Sequence, residues 1–293
     1  MPPHVTPLTD PGTTPSSRRL VWLASDADGV PLGSAFLRLF TKDGQEHLAE
    51  LEIAVHPGER RQGVGGLLLD AAVAAARSEG RRSLVAQAED GSPGDLFLAA
   101  RGFRRVLALT YARLTLPDVD LARITQIAQH PHPGYELTHW DGAVPPGQAR
   151  SFADSRRAMD DMPMEGTDYG SVVWDVERVL SAAEAIARRG ESLHTVAAVD
   201  RSDGSIVGFS ELVVPGDGRG DGQHYGTGVL PEHRGHGLGL RMKAESIRQA
   251  RLRHPELAGL LTDTADSNAP MLHINDALGY LPTHKAAEYQ LTL

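Results

Sequence analysis

Residues 229–239 read Val-Leu-Pro-Glu-His-Arg-Gly-His-Gly-Leu-Gly, and residues 55–65 read Val-His-Pro-Gly-Glu-Arg-Arg-Gln-Gly-Val-Gly. The two stretches lie 174 positions apart (229 − 55) in a chain of 293 residues. In both, an X-Pro pair ends an apolar run, and an arginine is followed three and five residues later by glycines. The pattern predicts a strand, a glycine-rich turn and a helix, twice.

The similarity between the two stretches extends on both sides. Asp28-Gly29 and Gly33 recur as Asp203-Gly204 and Gly208, 175 positions later (203 − 28), and Gly102-Phe103 recurs as Gly279-Tyr280, 177 positions later (279 − 102). Nearly constant offsets through strand, loop and helix indicate two copies of one α/β unit. The length alone also favours about two domains.

The two glycine-rich turns are predicted to bind an anion. Glycine lets the backbone approach a ligand closely, and the first turn of a helix offers unpaired N–H groups and a positive dipole end. Arg60 and Arg234 would add charge-assisted hydrogen bonds to the same phosphate oxygens. A P-loop would need Gly-Lys-Ser/Thr, and a dinucleotide fold would need G-x-G-x-x-G; neither turn has either pattern. A turn without ligand is the remaining alternative.

These residues resemble the Gcn5-related N-acetyltransferase (GNAT) superfamily, whose acyl-CoA loop reads Gln/Arg-x-x-Gly-x-Gly/Ala. The loops at Arg60 and Arg234 match that pattern. The superfamily also tends to show an Asn, a short helix and Leu-Gly-Phe/Tyr, to which Asn268 and Leu278-Gly279-Tyr280 are similar. The first copy has Gly91 where the second has Asn268. The resemblance covers about residues 19–116 and 134–293.

The resemblance implies an α/β fold of two tandem GNAT-like domains. Each would have a mixed, mostly antiparallel sheet flanked by helices, with splayed parallel strands at the acyl-CoA site. Residues 19–116 form the predicted N-terminal domain, with a truncated start, and residues 134–293 the C-terminal domain. Residues 1–18, rich in Pro, Thr and Ser, are predicted to be a disordered tail, and 117–133 a linker with some helix between Leu121 and Gln129.

The resemblance also implies which residues bind acetyl-CoA, the expected co-substrate. The pantetheine arm would lie between splayed strands, beside backbone groups at the strand ends, and the pyrophosphate would lie on the loop amides. In the second copy the implied set is Val229, Leu230, Arg234, Gly235, His236, Gly237, Leu238, Gly239 and Asn268. In the first copy it is Val55, His56, Arg60, Arg61, Gln62, Gly63, Val64 and Gly65.

Acetyl transfer to an alkyl ammonium requires removal of a proton, and the strand before each loop carries the candidate bases. Strand alternation puts Glu50 and Glu52 on one face of the first copy, and the repeat maps them to His224 and Gly226. His224 and Glu52 are the predicted bases, with a structural histidine and a solvated carboxylate as the alternatives.

The tetrahedral intermediate would need a donor for its oxyanion, and a backbone N–H near Thr227–Val229 is the candidate. Many family members place a tyrosine acid four residues before the glycine of the Leu-Gly-Phe/Tyr ending. This chain has Leu98 and Asn275 there. Asparagine can hydrogen-bond a sulfur but cannot protonate it, so the acid is unassigned or is water.

The segment Asp160–Tyr169 has no counterpart in the first copy. In the superfamily this region shapes the acceptor pocket, so Asp160, Asp161 and Tyr169 are the predicted substrate-binding residues. Carboxylates suit a cationic amine, and methionine with Trp174 would supply an apolar wall. An acidic, solvated connection is the alternative.

Composition limits the partners and the compartment. Lys plus Arg number 29 against 38 for Asp plus Glu, a net charge of −9, which argues against a nucleic-acid-binding surface. The chain has no cysteine, which excludes disulfides, thiolate zinc sites and a Cys nucleophile. No metal site is predicted. No signal-like start or membrane-length apolar run is found, so a soluble cytoplasmic protein without a membrane partner is expected.

The predicted function is an acetyl-CoA-dependent N-acetyltransferase acting on a primary amine of a small molecule, by direct attack through a tetrahedral intermediate. The C-terminal domain is the expected catalyst, because it alone has a full set of elements. The alternative is a non-catalytic acyl-CoA-binding regulator or a scaffold. The sequence does not determine the oligomeric state; an internal pair of domains would suit a monomer.

Overall fold

Two compact units make up the chain in the computed structural model. The structure describes residues 3–9, 13–14, 17–162, 165–170 and 173–293. Unit 1 comprises Met1–Ala108, Met164–Val172 and Lys285–Leu293, and unit 2 comprises Leu109–Pro163 and Val173–His284. This division differs from the predicted boundaries at 116 and 134, because the last strand of each sequence copy lies outside its own copy's sheet, as described below.

Unit 1 contains a twisted sheet with helices after its two parallel strands. Its strands are β1 (His4–Leu8), β2 (Thr13–Thr14), β3 (Ser17–Ser25), β4 (Pro31–Phe40), β5 (Leu48–Val55), β6 (Ser83–Glu89), the start of β7 (Arg104–Thr115) and the end of β13 (Leu281–Thr292). The order is β1-β3-β4-β5-β6-β13, with β2 paired to β3. Only β5 and β6 pair in parallel among these described strands. Helix α1 spans Val64–Ser78 and α2 spans Pro93–Ala100.

The prediction of a disordered tail is wrong for residues 4–8. His4–Leu8 pairs antiparallel with β3, with His4 opposite Ser25 and Leu8 opposite Val21. Val5 also packs against the core of unit 1, so apolar contact adds to the backbone hydrogen bonds. The first copy therefore has a first strand, and its described residues between β1 and β3 include no helix like those that follow β8 in the second copy. Residues 1–2, 10–12 and 15–16 of the tail lie outside the described residues.

The strand and helix predicted around the first glycine-rich turn are confirmed. Strand β5 ends at Val55, and α1 begins at Val64. Helix α1 buries Val64, Leu68, Ala72 and Ala76 against the sheet, at the spacing of one helical face.

Unit 2 contains the larger set of elements. Its sheet has the order β7-β12-β11-β10-β9-β8, formed by β8 (Tyr135–Asp141), β9 (Glu191–Asp200), β10 (Ile206–Pro215), β11 (Gly220–Val229), β12 (Leu257–Ala265) and the end of β7. Strands β11 and β12 are parallel, and the other pairs are antiparallel. The helices are α3 (Leu121–Ala128), α4 (Ala149–Ser155), α5 (Val176–Arg188), α6 (Leu238–Arg253) and α7 (Ala269–Ala277). Helix α3 confirms the helix expected between Leu121 and Gln129.

The core of unit 2 is built around β10. Residues Ile206–Val214 are all buried, because α6 covers β10 and β9 while α4 and α5 pack on β10 and β9 respectively.

Close packing explains why glycine is repeated at positions 33 and 208. A Cβ at Gly33 would lie 2.6 Å from the Ala54 carbonyl oxygen, and one at Gly208 would lie 2.9 Å from the Gly228 carbonyl oxygen.

The final strands of the two copies are exchanged. β7 follows the Gly102-Phe103 ending of the first copy, yet its residues 109–115 pair with β12 of unit 2. β13 follows the Gly279-Tyr280 ending of the second copy, yet Ala286–Thr292 pairs with β6 of unit 1. The repeat in the sequence therefore does not coincide with the compact units. In the described part of the chain, no helix is long and apolar enough to cross a membrane.

Candidate functional site

The two glycine-rich turns have matching backbone geometry and open surroundings. Gly235 and Gly237 take left-handed φ values of 82° and 69° before α6, and Gly63 takes 88° before α1. A Cβ built on any of these three glycines would meet no atom within 4 Å. The N-cap residue of each helix is a glycine, so no N-cap side chain bonds to the amides of the first turn.

The remaining loop residues anchor each turn to its domain. Leu238 and Val64 are buried in the two cores. A Cβ on Gly239 would lie 3.2 Å from Ile274, and one on Gly65 would lie 3.3 Å from Phe97. These two glycines therefore serve close packing behind the loop, while the exposed amides at 235–237 and 61–63 are available to a ligand.

Arg234 holds its own loop in place. Its Nε donates to the Val229 carbonyl oxygen at 2.9 Å, and its two terminal nitrogens bind the Asp161 carboxylate at 2.6 and 2.7 Å. This pairing raises the pKa of Arg234 and lowers that of Asp161. Arg60 repeats the first contact, with Nε 3.2 Å from the Val55 carbonyl oxygen. In this structure both arginines support their own turns through Nε, and the Arg234 terminal nitrogens bind Asp161; phosphate binding by either guanidinium stays a prediction.

The first loop carries backbone strain that the second does not. Arg61 occupies the left-handed region with φ 67°, where the second copy has Gly235. A residue with a Cβ pays about 1–2 kcal/mol for that conformation. The neighbouring Gln62 donates to the Gly58 carbonyl oxygen and to Glu59, within its own turn.

Both parallel strand pairs separate before they reach their loops. Pairing of β11 with β12 ends at Gln223–Leu261, and pairing of β5 with β6 ends at Glu50–Val85. The confirmed splay leaves a gap beside each loop. The predicted backbone contacts at the strand ends are partly used by the protein: Leu230 N–H donates to Val207, and His56 N–H donates to Leu32, each at 2.9 Å.

A β-bulge overturns the prediction that His224 and Gly226 lie on the same face of β11. The register of β10 with β11 shifts between Glu211/Leu212, so Leu212 faces His224 and Glu211 faces Gly226. The extra residue, Tyr225, breaks the alternation that put His224 and Gly226 on one face. His224 is buried, with 5% of its surface exposed. Burial, and then the charge of Lys243, hold the pKa of His224 well below 6.5.

Asn275 lies in a buried polar cluster and is fully engaged. Its Oδ1 accepts from Lys243 Nζ at 2.5 Å, and its Nδ2 donates to Thr264 Oγ1 at 3.0 Å. Lys243 also donates to Thr262 at 3.2 Å and lies 4.7 Å from the centre of the Tyr280 ring. Burial lowers the pKa of Lys243 to about 7. The amide of Asn275 therefore serves this cluster rather than a ligand.

Asn268 caps α7 instead of facing the loop. Its Oδ1 accepts from the Met271 N–H at 3.2 Å. In the first copy Ser92, next to the aligned Gly91, makes the same kind of cap to Asp95 at 3.2 Å. Glu52 lies exposed on β5 opposite Phe36, on a strand whose described pairing with β4 has no bulge.

A cavity of about 390 Å³ opens in unit 2 beside the bulge. It reaches β11 at Tyr225 and Gly226, which are the second and third residues beyond the last β11–β12 pair. Most of its walls are apolar, from Val144, Phe152, Met159, Trp174, Val179, Ala183, Ile186 and Leu193. Trp174 is therefore an apolar wall residue, as expected.

Glu211, Arg156 and Arg189 are the charged side chains of the cavity wall, and the sequence reasoning missed all three. Glu211 is the one carboxylate among the described lining residues, and it accepts a short hydrogen bond from Arg156. The Arg156 guanidinium lies 4.3–4.7 Å from the ring centres of Phe152, Trp174 and Phe209. The sequence does contain a signal for Glu211, because it is the single carboxylate within the mostly apolar run 206–214.

The predicted acceptor segment is divided between different environments. Asp161 binds Arg234, and Asp160 is exposed. Tyr169 lies in unit 1, where its hydroxyl donates to Glu288 at 3.0 Å; burial and that carboxylate raise its pKa. None of the three lines the cavity of unit 2. Pro163 and Met164, within the same segment, lie outside the described residues.

The fold and the two open loops on splayed parallel strands define an acyltransferase class, and comparisons with known proteins agree. The family model described as Acetyltransferase (GNAT) family matches residues 6–103 and 160–280, so the chain belongs to the GNAT family and is an N-acetyltransferase. The chain is 30% identical over 265 residues to a mycothiol acetyltransferase of Thermomonospora curvata, covering 88% of this chain and 78% of that protein. It is 28% identical over 274 residues to one of Thermobifida fusca, covering 89% and 79%.

Solved structures share the tandem fold. A tandem GNAT protein from the clavulanic acid biosynthesis pathway superposes with a TM-score of 0.77 at 24% identity, covering 96% of this chain and 84% of that one. A GCN5-related N-acetyltransferase from Sphaerobacter thermophilus superposes with a TM-score of 0.67 at 18% identity, covering 93% and 80%. These likenesses support the predicted fold class.

Proposed function

We propose that unit 2 transfers an acetyl group from acetyl-CoA to a primary amine of a small molecule. The observation that carries this proposal is the meeting of the cavity with β11 at Tyr225 and Gly226, directly beyond the last β11–β12 pair. An acyl donor in the gap and an amine in the cavity would then meet at the same short stretch of strand. Holding both reactants there makes the attack effectively unimolecular.

The second loop is the proposed diphosphate site. Residues 235–237 of this loop are exposed, and the N-terminus of α6 adds a positive dipole end. Arg234 and Asp161 keep the turn in that shape. The pantetheine arm would lie in the gap that opens after Gln223.

Glu211 is the proposed proton acceptor. It lies on β10 opposite Gly226, on the cavity wall. An ammonium group entering the cavity would find this carboxylate, directly or through one water, and lose its proton before it attacks the thioester carbonyl. His224 is shut off from the cavity by its burial on the α6 side of the sheet, so it is not assigned this role.

The tetrahedral intermediate then collapses with loss of the CoA thiolate. A backbone N–H near Thr227–Val229 is the proposed donor to the oxyanion. Because the Asn275 amide is held by Lys243 and Thr264, no side chain is assigned as the acid. The proton that the attacking nitrogen loses as the amide forms is proposed to pass to the thiolate through water.

Unit 1 is proposed to bind acyl-CoA without transferring the acetyl group, or to serve as a packing partner. Its loop and gap resemble those of unit 2, but the described chain between β1 and β3 has no helices corresponding to α4 and α5. Those two helices supply much of the cavity wall in unit 2.

The relatives support a small-molecule acceptor. Because they are mycothiol acetyltransferases, the amine of a cysteinyl sugar of that type is the first acceptor to test. The enzyme is proposed to act in the cytoplasm, as a monomer with two internal GNAT folds.

The test is release of free CoA thiol from acetyl-CoA in the presence of a panel of amines. Gly237→Glu, which adds a carboxylate to the diphosphate site, is expected to lower turnover at least about a hundredfold. Gly218→Glu is the matched control, because Gly218 also has a positive φ of 68° but lies in the β10–β11 turn. Gly63→Glu is expected to cost far less than Gly237→Glu. A larger loss from Gly63→Glu would move the activity to unit 1.

A further inference from the structure

Arg241 is an unpaired, half-buried cation at the start of α6. Its Nε and Nη1 are buried, and neither has a hydrogen-bond partner within the described chain. Among the described residues no carboxylate lies within ion-pair distance of it. Burial, and then Arg201, lower the pKa of Arg241. A desolvated guanidinium without a counter-ion is costly, so an anion is expected to complete it.

Two histidines and a tyrosine lie around this part of unit 2. The His132 ring centre is 5.4 Å from that of His236 and 4.9 Å from that of Tyr135. Burial, and then the charges of His236 and Arg241, lower the pKa of His132. Tyr135 is also 5.3 Å from His236. His236 belongs to the glycine loop itself, so the cluster adjoins the proposed diphosphate site.

The acidic groups nearby have partners of their own. Asp200 accepts from the Ser202 N–H at 2.8 Å and lies 3.7 Å from His233. Glu136 lies 3.5 Å from Arg201. The charges that remain without an opposite partner here are therefore positive.

The sheet places this cluster on the far side of the loop from the gap. Tyr135 pairs with Asp200, Ile206 with Val199, and Gly208 with Val229, so the start of β8 and the end of β11 lie at the same end of the strands. β8 is the outer strand on one side of β11, and β12 lies on the other. A ligand that runs from the gap across the loop would next reach the cluster.

Coenzyme A carries a second anion beyond its diphosphate, the phosphomonoester on the 3′ oxygen of its ribose. The thioester end would occupy the gap and the diphosphate the loop amides. We propose that Arg241, with His132 and His236, binds the 3′-phosphate of CoA in unit 2. This inference rests on the proposed function, since it takes the diphosphate to lie on the second loop.

The first copy lacks the same groups. Leu67 occupies the position of Arg241, and Gln62 that of His236, at the offset of 174 that relates the loops (241 − 67). Leu67 carries no charge and is 40% exposed, so the first copy has no buried cation at this position. Recognition of the 3′-phosphate is thus expected of the second loop alone.

The test compares CoA with 3′-dephospho-CoA by calorimetry at low ionic strength and neutral pH. All chains carry Gly63→Glu, so that the second loop supplies the signal. The unsubstituted second loop is expected to bind CoA about tenfold or more tighter than dephospho-CoA, the usual scale of a charge-assisted hydrogen bond. Arg241→Gln should weaken CoA by about that factor and dephospho-CoA by less than about twofold.

The control is Arg251→Gln, which removes the same charge from the other end of α6 and should leave the CoA preference intact. Equal binding of the two ligands by the unsubstituted second loop overturns the inference, and that measurement does not depend on how any Arg241 variant folds. Equal weakening of both ligands by Arg241→Gln also overturns it, because Arg241 would then bind the diphosphate. If neither ligand binds, the proposed function itself fails.

Discussion

Arg234 and Asp161 form a two-point ion pair, with nitrogen–oxygen distances of 2.6 and 2.7 Å, at the base of the second glycine loop. Arg234 also donates to the carbonyl oxygen that ends β11. The pair therefore ties the chain after α4 to the strand and loop that the ligand would use. Two residues predicted to contact ligands thus bind each other and support the loop that is proposed to bind the diphosphate.

Asp161→Asn should loosen this loop without removing any ligand contact. Because both side chains are about half exposed, the expected effect is modest, about a threefold rise in the acetyl-CoA Kd of unit 2. Asp154→Asn is the control, since Asp154 pairs only loosely with Arg150, at 3.6 Å on the surface. Calorimetry measures both. A loss of acceptor affinity with unchanged acetyl-CoA affinity would instead return Asp161 to the acceptor site.

The same pair gives a pH dependence with a defined sign. Arg234 holds the pKa of Asp161 below its ordinary value, so the stabilisation is present above that ordinary value, about pH 4, and is lost as the pH falls through the lowered pKa. The unfolding midpoints of the parent and Asp161→Asn should therefore converge in acid. Curves that stay parallel down to acid denaturation would show that the pairing does not stabilise the fold.

Glu211→Gln separates catalysis from stability. Removing the charge leaves Arg156 buried without its partner, so about 3 kcal/mol of stability should be lost along with most of kcat. Glu211→Asp keeps the charge one methylene further from the cavity and should retain more stability while kcat still falls. Unfolding in urea and kcat as a function of pH report the two effects. A Glu211→Asp variant with the parent pH profile of kcat would remove Glu211 from the role of base.

Lys243 should make the stability of the protein rise with pH. Its folded pKa of about 7 lies below the unfolded value of about 10.4, so the unfolded chain holds a proton between these values that the folded chain has released. The free energy of unfolding should increase across that window, by at most about 1.4 kcal/mol per pH unit. Lys243→Leu should abolish the increase, whereas Lys285→Leu on the surface should not. Denaturant titrations at several pH values measure it.

The first copy offers a control for the same cluster. Leu69 and Leu98 stand there at the positions of Lys243 and Asn275 (243 − 174 and 275 − 177), and both are buried. Lys243→Leu alone leaves Asn275 Oδ1 without its donor, so it should be less stable than the pair Lys243→Leu with Asn275→Leu. A double variant less stable than the single one would show that the polar cluster contributes more than its hydrogen bonds.

The sequence was informative where chemistry is local. Gly235, Gly237 and Gly63 indicated the two loops, because a left-handed backbone favours glycine. The sequence repeat predicted two GNAT folds. The face of the sheet on which each β11 side chain lies was harder to predict. Alternation placed His224 and Gly226 together, but a single bulge residue, Tyr225, turned His224 into the core. Bulges depend on pairing with β10, which the strand's own residues do not specify.

Contacts between residues far apart in the sequence could not be predicted either. Glu211 lies 55 positions from Arg156, and nothing near either residue points to the other. His4–Leu8 looked like a polar tail because an edge strand needs few apolar side chains when its backbone is satisfied by β3. Arg234 looked like a phosphate ligand because its partner, Asp161, is 73 residues away.

The exchanged strands have a consequence for how this gene can be divided. A cut between the sequence repeats would strip one sheet of β13 and the other of β7, leaving an unprotected edge on each fragment. Removal of either repeat is therefore expected to destabilise the sheet of the other. That interdependence gives a physical reason for both copies to persist in one chain.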